Sequence, residues 1–116
     1  MKVRFLADEN LDQNIVLGIM RRVPEIDFEL PQWLIPVGMR DPDGLALAAS
    51  LGRVLVAHDV RTMPRHFGEF IASNMSAGVI LVPTTIPIAH AIEELLLIWQ
   101  LSESDEWTNL LRRLPL

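Results

Sequence analysis

The chain has 116 residues, a formal charge of −5 and no cysteine, and half of its residues are hydrophobic. This length fits a single domain, residues 1–116, and the absence of thiols excludes disulfide bonds and thiolate metal sites. The negative charge argues against capture of nucleic acid by overall charge. The apolar stretch at the amino terminus is interrupted by Arg4 and Asp8 and is too short for a signal peptide or a membrane span, so we expect a cytoplasmic protein that does not bind membranes.

The first third of the chain predicts a strand, a helix and a second strand. Residues 2–6 are typical of a short strand, and apolar residues at helical spacing predict a helix over about residues 11–22. Residues 26–30 alternate apolar and acidic side chains, which predicts a half-buried strand at a sheet edge. We expect its two acids, Asp27 and Glu29, to face solvent.

The middle of the chain predicts a helix, a buried strand and another helix. An aspartate cap, Pro42 in the first turn and Gly52 at the end delimit the first of these helices. Residues 53–57 form a continuous apolar run, typical of a parallel strand that is covered on both faces. Residues 62–74 predict the next helix.

The last third predicts one strand and two helices. Residues 78–83 are an apolar strand that ends at a proline, and an apolar helix follows over about residues 87–102. The acidic first turn and the closing arginines of residues 103–114 suit the dipole of a last short helix. This alternation of strands and helices predicts an α/β protein, namely a three-layer α/β/α sandwich with a mainly parallel four-stranded sheet.

Acidic residues follow the predicted strands at the end where parallel sheets bind ligands. Asp8 and Glu9 come after the first strand, Asp41 and Asp43 open the second helix, and Asp59 comes after the third strand. If the first and third strands are neighbours, Asp8 and Asp59 leave the same edge about 5 Å apart laterally. Carboxylates this close repel each other unless a cation or a proton lies between them. Oxygen ligands suit Mg²⁺ or Mn²⁺, ions that activate water and stabilise the transition state of phosphoryl transfer. The pattern does not separate Asp41 from Asp43 as the acid that faces the site.

Each aspartate also has an ordinary structural alternative. Asp8 and Asp41 are suitable caps for the first and second helices, and Asp59 is a suitable start for a turn. Such a role accounts for any one of them more readily than for all three together.

Two further side chains lie next to Asp59 in the sequence. Strand alternation points His58 away from Asp59, which favours a packed or hydrogen-bonded histidine over a ligand or a base. Arg61 has a planar guanidinium that suits either a phosphate or a carboxylate, and we favour a salt bridge that supports a carboxylate.

Three segments, FLADENL, RDPDGLALAASLGRVLVAHDVRTMP and GVILVP, resemble the PIN-like toxin-associated proteins, a small prokaryotic family related to PIN-domain ribonucleases. The resemblance spans nearly the whole chain, and its most specific parts are DEN and HDVRTMP. It implies a PIN-like fold, a nuclease centre with a divalent metal ion, and a place in a toxin–antitoxin pair. By motif, Asp8, Asp41 and Asp59 are the implied catalytic and metal-binding acids, and Glu9 and Asn10 complete the first motif.

The leading hypothesis is a Mg²⁺- or Mn²⁺-dependent endoribonuclease that hydrolyses RNA phosphodiesters as the toxin of such a pair. PIN nucleases usually supply one more acid after the fourth strand, where this chain has Thr84 and Thr85. The alternative is therefore a non-catalytic PIN-like module that binds an antitoxin, or a second copy of the chain in a homodimer, through the apolar face of the helix over residues 87–102. A receiver-like phosphate-handling domain is a third alternative, and the absence of lysine after Lys2 argues against it.

Overall fold

The computed structural model describes residues 1–30 and 41–116, apart from the side chains of residues 41–43. Within these ranges the strands are β1 (Phe5–Ala7), β2 (Phe28–Glu29), β3 (Val54–Ala57), β4 (Val79–Leu81) and β5 (Leu111–Arg113). The helices are α1 (Gln13–Arg22), α2 (Asp41–Leu51), α3 (Met63–Ile71) and α4 (Ile88–Leu101), and a short 3₁₀ helix covers Ser104–Trp107. No helix in the described part of the chain is long and apolar enough to span a membrane.

The strands form one parallel sheet in the order β2-β1-β3-β4-β5. The parallel sheet and the edge position of β2 agree with the sequence, but the expected count of four strands was wrong because β5 adds a fifth. The chain leaves β1 for β2 on one side and later returns to β3 on the other side of β1. The strand order therefore reverses between β1 and β3, which is where open parallel sheets bind ligands.

Helices cover both faces of the sheet. Val54 and Val56 of β3 pack in the same core cluster as residues of α1 and α4, whereas Leu55 and Ala57 pack in the cluster that contains residues of α2 and α3. Successive strand residues point to opposite faces, so the two helix pairs lie on opposite sides of the sheet. The expectation of an α/β protein with helices on both faces is confirmed.

The end of the chain differs from the expected helix over residues 103–114. The 3₁₀ helix ends at Trp107, and the chain then extends as β5 along the edge of β4 that would otherwise be unpaired. Trp107 and Leu114 are buried by this arrangement. A helix would have satisfied its own backbone, but only the extended chain provides hydrogen bonds to β4 as well as burial of these side chains.

Asp27, just before β2, and Glu29, within it, are not simply solvated, because Arg53 lies beside them. Its Nη1 atom is 2.6 Å from Oδ1 of Asp27 and its Nη2 atom is 3.9 Å from Oε1 of Glu29. Nη1 also donates to the carbonyl oxygen of Phe5 at 3.2 Å. Arg53 thus joins β2, β1 and β3 at the end of the sheet where β3 begins, opposite to the end that carries Asp8 and Asp59.

Candidate metal centre

Asp8 and Asp59 emerge from neighbouring strands at the point where the strand order reverses. In the register of β1 with β3, Ala7 pairs with Val56, and the amide of Asp8 continues the ladder by donating to the carbonyl oxygen of Val56 at 2.8 Å. Asp59 follows the end of β3 by two residues. The expectation that the first and third strands are neighbours is confirmed, and both carboxylates lie at the carboxyl edge, our name for the end of the sheet where β1, β3 and β4 finish.

Asp8 does not cap α1. That role belongs to Asp12, whose Oδ1 atom accepts a hydrogen bond from the amide of Asn14 at 2.9 Å. Asp8 is half-buried, and its carbonyl oxygen accepts from the amide of Leu11 at 3.0 Å. The alternative that Asp8 caps α1 was therefore wrong.

The first turn of α2 lies next to Asp8. A Cβ atom added at Gly44 would be 3.7 Å from Oδ1 of Asp8, and α2 begins three residues earlier at Asp41. The positive end of the α2 dipole is thus close to the Asp8 carboxylate. The side chains of Asp41 and Asp43 lie outside the described residues, so their assignment as site acids stays a prediction.

The carboxylate of Asp59 organises the turn that leads into α3. Its Oδ1 atom accepts from the amides of Arg61 at 3.0 Å and Thr62 at 2.9 Å, and its Oδ2 atom accepts from the hydroxyl of Thr62. The turn alternative for Asp59 is confirmed. It is compatible with ligation, because an ionised carboxylate offers about four lone-pair positions.

Thr62 is a residue that the sequence analysis missed. It is the residue before α3 and its hydroxyl holds the Asp59 carboxylate. A local signal was present: an aspartate three residues before a threonine, directly ahead of a helix with Pro64 in its first turn, is typical of a helix start.

His58 is hydrogen-bonded through both ring nitrogens, as the sequence favoured. Nδ1 lies 2.8 Å from the carbonyl oxygen of Val82, and Nε2 accepts from the amide of Asp12 at 3.1 Å. The ring therefore joins the ends of β3 and β4 to the start of α1. A carbonyl partner requires a hydrogen on Nδ1, and an amide partner requires a lone pair on Nε2.

The remaining predicted supporting residues lie on the surface of the carboxyl edge. Glu9 and Asn10 are exposed in the segment that joins β1 to α1, and Arg61 is exposed in the turn after β3. Among the described residues, the guanidinium of Arg61 forms no ion pair. The salt-bridge role that we favoured for Arg61 is therefore absent from this part of the chain, and a contact with phosphate stays a prediction.

The donors at the carboxyl edge suit a hard cation. Asp8 and Asp59 offer carboxylate oxygen, the ligand that Mg²⁺ and Mn²⁺ prefer. Without Asp41 and Asp43, whose side chains are not described, no three His, Asp or Glu side chains are grouped to hold a metal ion. After β4 the chain places the exposed hydroxyls of Thr84 and Thr85, so this strand contributes no carboxylate.

Comparisons with protein-family models, with curated proteins and with solved structures find no match to this chain. The resemblance to the PIN-like toxin-associated proteins thus stays a prediction from the motifs of the sequence.

Proposed function

We propose that the protein is a PIN-like, divalent-metal-dependent endoribonuclease. The observation that carries this proposal is the placement of Asp8 and Asp59 at the ends of adjacent parallel strands, where the strand order reverses and the first turn of α2 meets Asp8. Ligand sites of parallel α/β sheets form at this position. We infer that this ribonuclease is the toxin of a toxin–antitoxin pair, as the family resemblance implies.

Asp8 and Asp59 would hold Mg²⁺ or Mn²⁺, with a third carboxylate from Asp41 or Asp43 at the start of α2. When bound, such an ion lowers the pKa of water and stabilises negative charge on a phosphoryl group. Hydrogen bonds from the backbone amides of Arg61 and Thr62 and from the Thr62 hydroxyl fix the orientation of the Asp59 carboxylate. A ligand that is held in advance loses less conformational freedom when a cation binds.

Two exposed residues of the carboxyl edge would meet a nucleic-acid backbone in this proposal. The exposed guanidinium of Arg61 would contact a phosphate, and Asn10 would donate a hydrogen bond to a phosphate or sugar oxygen. Carboxylates at the same edge repel phosphate unless a cation lies between them. RNA binding should therefore depend on the divalent ion and should be lost when the ion is removed by a chelator.

The test combines Mn²⁺ titration by calorimetry with cleavage of labelled single-stranded RNA in the same preparations. The variants are Asp8→Asn and Asp59→Asn, and the matched control is Asp105→Asn, which changes an exposed aspartate in the 3₁₀ helix. Asparagine at position 59 keeps an oxygen that accepts from the amides of Arg61 and Thr62, so the turn survives while the charge is lost.

The expected result is that the wild type and Asp105→Asn bind Mn²⁺ and cleave RNA, whereas Asp8→Asn and Asp59→Asn do neither and remain folded. Cleavage that persists in Asp59→Asn would contradict the site assignment. Mn²⁺ binding without cleavage in the wild type would contradict the enzyme proposal and would leave a metal-binding module.

A second candidate function, a protein-binding module, is favoured by the outer surface of α4. Leu97 and Leu101 lie one turn apart and are 44% and 77% exposed, although α4 also buries a full apolar face against the sheet and α1. Exposed apolar side chains on one helix face are typical of an interface. We propose a second copy of this chain as the partner, and sedimentation of the wild type and of Leu97→Asp/Leu101→Asp tests it. A homodimer that the double variant dissociates is expected, and a wild-type monomer at all concentrations would contradict it.

A further inference from the structure

The imidazole of His58 is a bridge between three segments of the carboxyl edge. It extends from the residue that follows β3, and it bonds to Val82 just after β4 and to Asp12 at the start of α1. The Asp12 amide is one of the donors that a helix start leaves without an intrahelical partner, and the Val82 carbonyl lies one residue past the end of β4. His58 satisfies both of these backbone groups with one half-buried ring.

The bond from Asp12 to His58 also helps to hold the segment that carries Asp8. The segment runs from the end of β1 to Asp12, and two of its attachment points are hydrogen bonds: the amide of Asp8 donates to the carbonyl oxygen of Val56, and the amide of Asp12 donates to His58. Both attachment points belong to the short stretch of chain that ends in Asp59. Residues 56–58 therefore help to hold the Asp8 segment in place relative to Asp59.

We propose that His58 is a positioning residue that sets the relative placement of Asp8 and Asp59 and so supports their affinity for a divalent cation. This inference rests on the function proposed above. His58 is not itself a ligand, because both of its ring nitrogens already have partners and coordination would break one of the two bonds. Residues that orient metal ligands from outside the coordination sphere typically change metal affinity by about 10- to 100-fold when they are replaced.

The test measures Mn²⁺ affinity in His58→Phe, which keeps a ring of similar size and removes both hydrogen bonds. His58→Gln is the rescue variant, because its amide supplies a donor and an acceptor. His90→Phe makes the same change at a half-exposed histidine on α4. Ser76→Ala provides a variant that is destabilised elsewhere, because it removes the acceptor of the Gly78 amide at the end of the sheet where β4 begins.

Mn²⁺ should bind about 10- to 100-fold more weakly to His58→Phe than to the wild type, and His58→Gln should recover part of the loss. His90→Phe and Ser76→Ala should bind as the wild type does, although urea denaturation should show that Ser76→Ala is less stable. Loss of stability alone therefore does not reproduce the effect.

Wild-type affinity in a folded His58→Phe would overturn the inference and leave the proposed function intact. If His58→Phe fails to fold, His58→Gln serves as the test variant. The inference then requires that His58→Gln bind Mn²⁺ more weakly than the wild type does, and equal affinity would overturn it. Absence of Mn²⁺ binding by the wild type would instead overturn the proposed function, and the inference with it.

Discussion

Gly78 should not tolerate a methyl group, because the backbone of the 3₁₀ helix packs directly on it. Gly78 has φ +116°, and a Cβ atom added there would lie 2.7 Å from the carbonyl oxygen of Trp107 and 2.8 Å from its Cβ. Neighbouring hydrogen bonds hold the two segments together: the amide of Asn109 donates to the carbonyl oxygen of Ser76 at 2.9 Å, and the amide of Ser76 donates to the Asn109 side chain at 2.8 Å. Neither segment can move away without losing them.

We therefore expect Gly78→Ala to lower the free energy of unfolding by about 2–6 kcal/mol. Backbone strain at this φ contributes about 1–3 kcal/mol, and the contact with a backbone that cannot yield contributes a further ~1–3 kcal/mol. The matched control is Gly68→Ala in α3, where an added Cβ meets nothing within 4 Å. Alanine at this helical position should raise stability by about 0.5–1 kcal/mol.

Urea denaturation followed by tryptophan fluorescence measures both variants, and opposite signs are expected for the same chemical change. A Gly78→Ala protein as stable as the wild type would refute the reasoning. It would mean that Trp107 does not pack on Gly78, and hence that the end of the chain does not lie along β4 as β5.

Substitutions at three further residues test contacts at the two ends of the sheet. Asp59→Ala should lower the free energy of unfolding by about 1–2 kcal/mol because two amides and a hydroxyl lose their acceptor, whereas Asp59→Asn should cost less than half as much in the same urea titration. Arg53→Met, which keeps the alkyl stem, should cost about 1–2 kcal/mol through loss of the bond to Asp27, and equal stability would contradict that bond. The Met1 amino group donates a hydrogen bond to the Glu103 carboxylate at 2.8 Å. This pairing raises the pKa of the amino group from its usual 8.0 and lowers the pKa of the carboxyl group from its usual 4.5. The wild type should therefore be more stable than Glu103→Gln between about pH 4.5 and 8, and thermal melts should show this difference vanish as pH rises through the raised pKa or falls through the lowered one.

Much of the fold could be predicted from local pattern. The apolar runs predicted β3 and β4, the alternation of residues 26–30 predicted an edge strand, and the apolar spacing and caps predicted α1 to α4 within a few residues. Patterns of this kind depend on which face of an element is buried, and the order of apolar and polar residues within the element shows which face that is. The end of the chain was mispredicted because acidic and basic residues at suitable helical positions outweighed the weaker signal of a three-residue strand.

The acids of the candidate site could be predicted from the sequence, but the hydrogen bonds that hold the site together could not. Asp8 and Asp59 were found from their positions after apolar runs, whereas the bonds of His58 to Asp12 and Val82 join residues 46 and 24 positions apart. Contacts between residues so far apart in the sequence do not affect the spacing of apolar and polar residues within a single element.

The sequence by itself determined the class of the protein, the order of most of its elements and the presence of acids at strand ends, because these follow from composition and short-range periodicity. Tertiary structure alone decided that β1 lies beside β3, that Asp12 rather than Asp8 caps α1, and that the last segment pairs with β4. Each of these outcomes depends on which distant backbone groups and apolar surfaces become available once the sheet has formed. That competition is settled by the free energy of the whole fold and not by the preference of any one segment.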